Sequence, residues 1–188
     1  MKAKQKTKKT KIEDELEVPQ GVEVSIKDGI VTVKGKNGSN SRSMMHPIFK
    51  IASKDGKVIF SADRDTKRER KMIGSYKAHL KNMMRGVQEK YVYKMKICAG
   101  HFPVTVTVAK NEIIVKNFLG EKVPRTAKLR EDVTVKVDGD QITVESIDKE
   151  AAGSIAGKIE SLTRITNRDR RIFQDGIYIT SKDGKAIG

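Results

Sequence analysis

The chain is written twice. Val22 to Gly35, VEVSIKDGIVTVKG, is answered 82 positions later by Val104 to Asn117, VTVTVAKNEIIVKN, with no gap. Each copy opens on strict alternation, Val22, Val24 and Ile26, then Val104, Val106 and Val108, the period-two signature of a half-buried strand. Lys27-Asp28-Gly29 and Ala109-Lys110-Asn111 then read as tight hairpin turns, where Gly or Asn supplies a positive φ. A second strand follows, Ile30 to Lys34 and Glu112 to Lys116. A chain that repeats its hairpins must fold twice in the same way.

The echo continues with looser spacing. Asp55-Gly56 introduces KVIFSA, and Asp138-Gly139 introduces DQITVES. A helical stripe follows each, first Met72, Ile73, Tyr76, Leu80, Met83 and Met84, then Ala152, Ile155, Ile159, Leu162 and Ile165. Thr66 with Glu69 forms a capping-box pattern, Asp148 an N-cap, and Gly86 a helix stop. Gly74 and Gly157 fall at matching places inside the helices, where close packing on a sheet would explain them, since Gly costs up to about 1 kcal/mol relative to Ala. Strands followed by one helix, repeated, predict an α+β fold of two tandem domains, each an antiparallel sheet with a packed helix. The expected limits are a basic extension over 1–17, a first repeat over 18–95, a second over 96–180 and a tail over 181–188. YVYKMKICAGHF is expected to close the first unit and lead into the second. Lys2, Lys4, Lys6, Lys8, Lys9 and Lys11, followed by the acidic EDELE, bury no apolar surface and predict no packed structure.

Charge narrows the partner. Lys and Arg number 39 against 24 acidic residues, a formal charge of +15 that repels itself unless a polyanion is bound. Nucleic acid is the leading partner and an anionic membrane surface the second. No apolar run approaches the roughly 20 residues of a membrane helix, the N-terminus is not a secretory signal, and a single cysteine, Cys98, forms no intrachain disulfide. The expectation is a soluble intracellular protein.

Catalysis leaves little trace. Cys98-Ala99-Gly100-His101 has ligand-like spacing but lacks a second pair, so a structural reading is preferred and no metal is expected. There is no nucleophile elbow, Walker loop or dinucleotide fingerprint. The chain is expected to be no enzyme and to carry no cofactor. Gly35 to Gly38, GKNG, matches the loop with which KH domains clamp RNA, but it follows a strand and reads as a turn.

Two basic clusters remain. Lys77, Lys81 and Arg85 make an i, i+4, i+8 row on the first helix, either a solvated face or a phosphate contact. Arg164, Arg168, Arg170 and Arg171 crowd the end of the second helix, where guanidinium groups bridge phosphate oxygens and capping accounts for one or two of them. Beyond lie Tyr178, placed either to stack on a base or to pack on the sheet, and Lys182 and Lys185. No groove-reading helix or minor-groove wedge is evident, so structured RNA is favoured over DNA.

In order and spacing, VPQGVEVSIKDGIVTVKGKNG, the repeat, the helix with Gly74 leading to NMMRGV, and RDRRIFQDGIYI together resemble the sixth-protein family of the large ribosomal subunit, in its archaeal and eukaryotic-like branch. The likeness runs from about residue 17 to residue 182. It implies two duplicated α+β domains bound to large-subunit rRNA near the stalk base and the sarcin-ricin loop, in cytoplasmic ribosomes, beside neighbouring ribosomal proteins and the translation factors. It implies that the second domain makes much of the contact, through Arg164 to Arg171, Gly176, Tyr178, Lys182 and Lys185.

Overall fold

The structure, a computed structural model, describes residues 11–54, 56–169 and 171–187, and the chain divides into two compact units, 1–89 and 90–188. Arg170, Asp55 and the lysine run up to residue 10 lie outside the described residues.

In the first unit, β2 (Glu23–Lys27), β3 (Ile30–Gly35) and β4 (Gly38–Ser43) form an antiparallel meander. The β2–β3 turn sits where the repeat put it, with Asp28 at φ 49° and Gly29 at φ 74°. A second antiparallel sheet has the order β1-β6-β5, from β1 (Ile12–Glu17), β5 (Phe49–Lys54) and β6 (Lys57–Ala62). The helix α1 (Lys67–Gln88) follows β6 and is capped by Thr66, which accepts the Arg68 amide and meets Glu69 through its hydroxyl. Val31, Val33, Phe60, Ile73, Leu80 and Val87 are fully buried and make the core.

The second unit repeats this order. β8 (Thr105–Ala109), β9 (Glu112–Lys116) and β10 (Arg125–Lys128) form the meander, with a short 3-10 turn at Phe118–Gly120. β11 (Val133–Asp138), β12 (Gln141–Ser146) and α2 (Lys149–Leu162) stand for β5, β6 and α1. Asp148 caps α2 by accepting the Glu150 amide at 3.0 Å. Ile113, Val115, Ile142, Val144, Ile155 and Ile159 are buried in its core.

Several expectations change. The strand expected to close the first unit, β7 (Tyr91–Cys98), pairs with β12 instead, and Tyr91, Tyr93 and Met95 lie in the second core. Ile12 opposes Ala62 while Tyr91 opposes Ser146, so β1 is the counterpart of β7. The acidic segment expected in the extension is thus a strand, anchored by half-buried Ile12 and Leu16 and by Lys77 on Asp14 at 2.5 Å. The expected tail is a hairpin of β13 (Gly176–Lys182) and β14 (Lys185–Ala186), turned by Asp183 at φ 52° and Gly184 at φ 77°. β13 lies on the far edge of β7, giving the order β11-β12-β7-β13-β14.

Three smaller readings also shift. Gly86 does not stop α1, because burying Val87 against Gly35 carries the helix on to Gln88. Gly74 and Gly157 approach nothing, and a Cβ on either would meet no atom within 4 Å. In the β8–β9 turn, Lys110 rather than Asn111 takes the positive φ, at 51°.

Candidate nucleic-acid interface

The C-terminal end of α2 and the start of β13 form one connected piece. Thr163 closes the helix with its hydroxyl, which donates to the Glu160 carbonyl at 3.3 Å and accepts the Ile177 amide at 2.9 Å. Arg125, reaching across from β10, donates to the carbonyls of Leu162 at 2.8 Å and Arg164 at 3.4 Å. It lies 4.5 Å over the Phe118 ring and pairs with Glu121 at 2.5 Å, which raises the guanidinium and lowers the Glu121 carboxyl from their ordinary values, chiefly through the hydrogen bond between them. Capping is therefore done by an arginine outside the cluster. Arg164 and Arg168 are both exposed and stay available for another partner.

The loop from Ile165 to Asp175 is pinned by one carboxylate. Asp175, its side chain 2% exposed, accepts the amides of Gly100 at 2.5 Å and His101 at 3.1 Å, and its second oxygen lies 2.5 Å from His101 Nδ1. Burial by itself would raise this carboxyl; the hydrogen bonds from the His101 amide, the His101 ring and the Gly100 amide outweigh burial and hold it below its ordinary value. The His101 ring stacks on Phe173 at 4.6 Å, and the Arg168 guanidinium lies 4.7 Å over the other ring, Phe173. Asp175, His101, Phe173 and Arg168 form a ladder from the interior to solvent. A guanidinium lying on a ring keeps its in-plane N–H donors for a phosphate. His101, the one half of a metal-like pair in the sequence, is a rung of this ladder. Among the described residues no group of three or more His, Cys, Asp or Glu is arranged to hold a metal ion.

Arg171 is differently placed. It is highly exposed, yet Asp169 meets its guanidinium at 2.7 Å and its amide at 2.9 Å. The Arg171 side chain is the main cause lowering the Asp169 carboxyl, and Asp169 in turn raises the guanidinium. Arg170 lies outside the described residues. Gly176 is buried at φ 157°, and a Cβ there would come within 3.0 Å of the Tyr178 ring. It makes room for Tyr178, which folds back and donates its hydroxyl to the Asp175 carbonyl at 3.3 Å. Tyr178 remains 37% exposed and borders a cleft of about 270 Å³ with Arg164, Ile165 and Phe173. Tyr178 is thus packed on one side and open on the other.

Lys182 and Lys185 face each other across the β13–β14 hairpin, both exposed. The outer face of the same sheet, away from the side on which Lys182 opposes Tyr93, carries three lysines that the sequence reading passed over. Lys136 opposes Thr143, Thr143 opposes Lys94, and Lys96 opposes Tyr178. Their signal was present in YVYKMK, where buried Tyr91, Tyr93 and Met95 alternate with exposed Lys94 and Lys96. A strand thought to end the first unit gave no reason to join those lysines to the arginines.

On α1, Lys77 is committed to Asp14. Lys81 and Arg85 are exposed on the following turns. Lys77, Lys81 and Arg85 belong to the first unit, and the other described site residues lie in the second.

The family model of ribosomal protein L6 matches residues 18–90 and again residues 102–176, once for each repeat. Each match begins just after the strand that opens its unit, β1 or β7. The large ribosomal subunit protein uL6 of Methanobrevibacter smithii is 44% identical over 172 residues, covering 92% of this chain and 97% of that protein. Its counterpart in Methanocella arvoryzae is 45% identical over 169 residues, covering 89% and 96%. Matched through both repeats and nearly end to end with such relatives, the chain belongs to the ribosomal protein L6 family.

Proposed function

We propose that this chain is a structural component of the large ribosomal subunit, in the cytoplasm, that binds large-subunit rRNA near the stalk base and the factor-binding region, with neighbouring ribosomal proteins and translation factors close by. The observation that carries the rRNA contact is the ladder that sets Arg168 on Phe173, beside exposed Arg164 and next to a sheet face bearing Lys94 and Lys96. The mechanism is neutralisation of phosphates with release of counterions. Arg164, Arg168, Arg170 and Arg171 supply guanidinium groups, Lys182 and Lys185 add point charges, and Tyr178 offers a partly open ring to an unstacked base or a ribose. Gly176 acts by seating Tyr178. Lys77, Lys81 and Arg85 on α1 form a lesser contact, in which Lys77 also meets Asp14. Recognition is by RNA shape, since A-form grooves show side chains little of the base sequence. The family's work is structural, and the chain is not an enzyme.

Sedimentation of the tagged protein from lysate at moderate and high salt tests this reading. Co-migration with the large subunit that persists in high salt is expected. Migration at the top of the gradient in moderate salt would reject it in favour of a free nucleic-acid-binding protein.

A further inference from the structure

The two units differ at one edge. In the second, the sheet continues past β7 into β13, with Tyr178 opposite Lys96, Ile179 opposite Met95 and Lys182 opposite Tyr93. In the first, the sheet stops at β1 among the described residues. The two edge positions correspond residue for residue. Glu17 opposes Lys57 as Lys96 opposes Gln141, so Ile12 to Glu17 stands in the register of Tyr91 to Lys96. The outer side of β1 is thus the place that β13 fills in the sister unit. Its six residues give an edge of about 20 Å that no other described strand covers. Such an edge presents backbone donors and acceptors ready to take another strand.

Charge selects the occupant. β1 carries Glu13, Asp14, Glu15 and Glu17 and no base, in a chain of net charge +15. Glu13, Glu15 and Glu17 are exposed on one face, while Ile12, Asp14 and Leu16 turn inward. Phosphates are repelled there. A second copy of β1 would set acid against acid, which is unfavourable across paired strands. A strand with Lys or Arg at alternate positions would meet Glu13, Glu15 and Glu17, and apolar residues between them would extend the Ile12 and Leu16 surface as Ile177 and Ile179 do beside β7. The ion pair of Glu15 with Lys57, at 3.0 Å and half exposed, is weak enough to exchange. The chain's own N-terminus would have to reverse within Lys8-Lys9-Thr10-Lys11, which holds none of the Gly, Asn, Asp or Pro that tight turns use.

We propose that the outer edge of β1 is a docking site for an extended, lysine- or arginine-bearing segment of a second protein, added as an antiparallel strand. The inference rests on sheet topology and not on the rRNA contact, so the two fail separately.

The test is hydrogen exchange on the full chain, with a short synthetic peptide of alternating Lys and Val as probe and one of alternating Glu and Val as control. The Lys peptide is expected to slow exchange at the Ile12–Glu17 amides by at least about tenfold, and the Glu peptide to leave them unchanged. The variant E13K/E15K/E17K is expected to melt within a few degrees of the parent and to lose the response. Unchanged exchange with the Lys peptide, or equal effects of both peptides, would overturn the proposal. So would protection already present in the free chain and lost on removing residues 1–10, which would make the occupant the chain's own N-terminus. Protection that grows with protein concentration would make it a second copy and would overturn the proposal equally.

Discussion

Asp175 shows how much one side chain can organise. It is nearly inaccessible, accepts two amides and an imidazole, and through His101 and Phe173 fixes where Arg168 stands. Its folded-state carboxyl lies below the ordinary value of 3.8, so its contribution to stability is whole above that pH and is lost as the pH falls through the folded value. Asp175→Asn is expected to cost about 1–3 kcal/mol at neutral pH and to flatten the acid limb of the stability curve, as measured by denaturant unfolding from pH 7 to pH 2. Glycines give a second check at this scale. A Cβ on Gly74 would meet nothing within 4 Å beyond its own helix backbone, so Gly74→Ala is expected to stabilise α1 by up to about 1 kcal/mol. Gly153→Ala, whose Cβ would lie 3.3 Å from the Tyr93 hydroxyl, is expected to gain less or lose; thermal melts compare the two. At this scale the sequence revealed residue types but not partners. Four crowded arginines were visible, whereas nothing in the letters says that Arg125 would cap α2, that Asp169 would hold Arg171, or that Asp14 would hold Lys77.

Elements were more legible where both copies spoke. The alternation of β2 and β8, the Asp28-Gly29 and Asp138-Gly139 turns and both helix starts stand where periodicity and caps put them. Strands without an obvious echo were misplaced, for a physical reason. IEDELE and YVYKMK share a place in the fold but hardly a residue, because β1 is an edge strand tolerant of charge and β7 is a central strand needing Tyr and Met. The β13–β14 hairpin carried an Asp-Gly turn signal of its own, Asp183-Gly184, yet its second strand is only two residues long. Gly86 failed as a stop because packing overrode propensity. The end of α1 is held by Val87, which is fully buried against Gly35 and whose carbonyl accepts the Asn37 amide at 3.0 Å. Val87→Ala is expected to cost roughly 1.5–3 kcal/mol and to raise amide exchange over the last turn of α1 before the rest of the helix. A uniform change along α1 would argue against a local anchor.

At the scale of the whole molecule, one duplicated plan serves two ends. Both units have a meander, a second antiparallel sheet and a helix, but among the described residues only the second extends that sheet, by β13 and β14, and with them come the arginine loop and Tyr178. The excess of 15 positive charges, inexplicable for an isolated domain pair, is what a polyanionic partner would offset. The most direct test of the central claim is the salt dependence of binding to large-subunit rRNA, for the parent chain and for the variant R164Q/R168Q/R171Q. The account predicts weaker binding and a log–log slope shallower by about 0.7–0.9 for each phosphate contact removed. An unchanged slope in a variant that melts like the parent would place the phosphate contacts elsewhere and contradict the account.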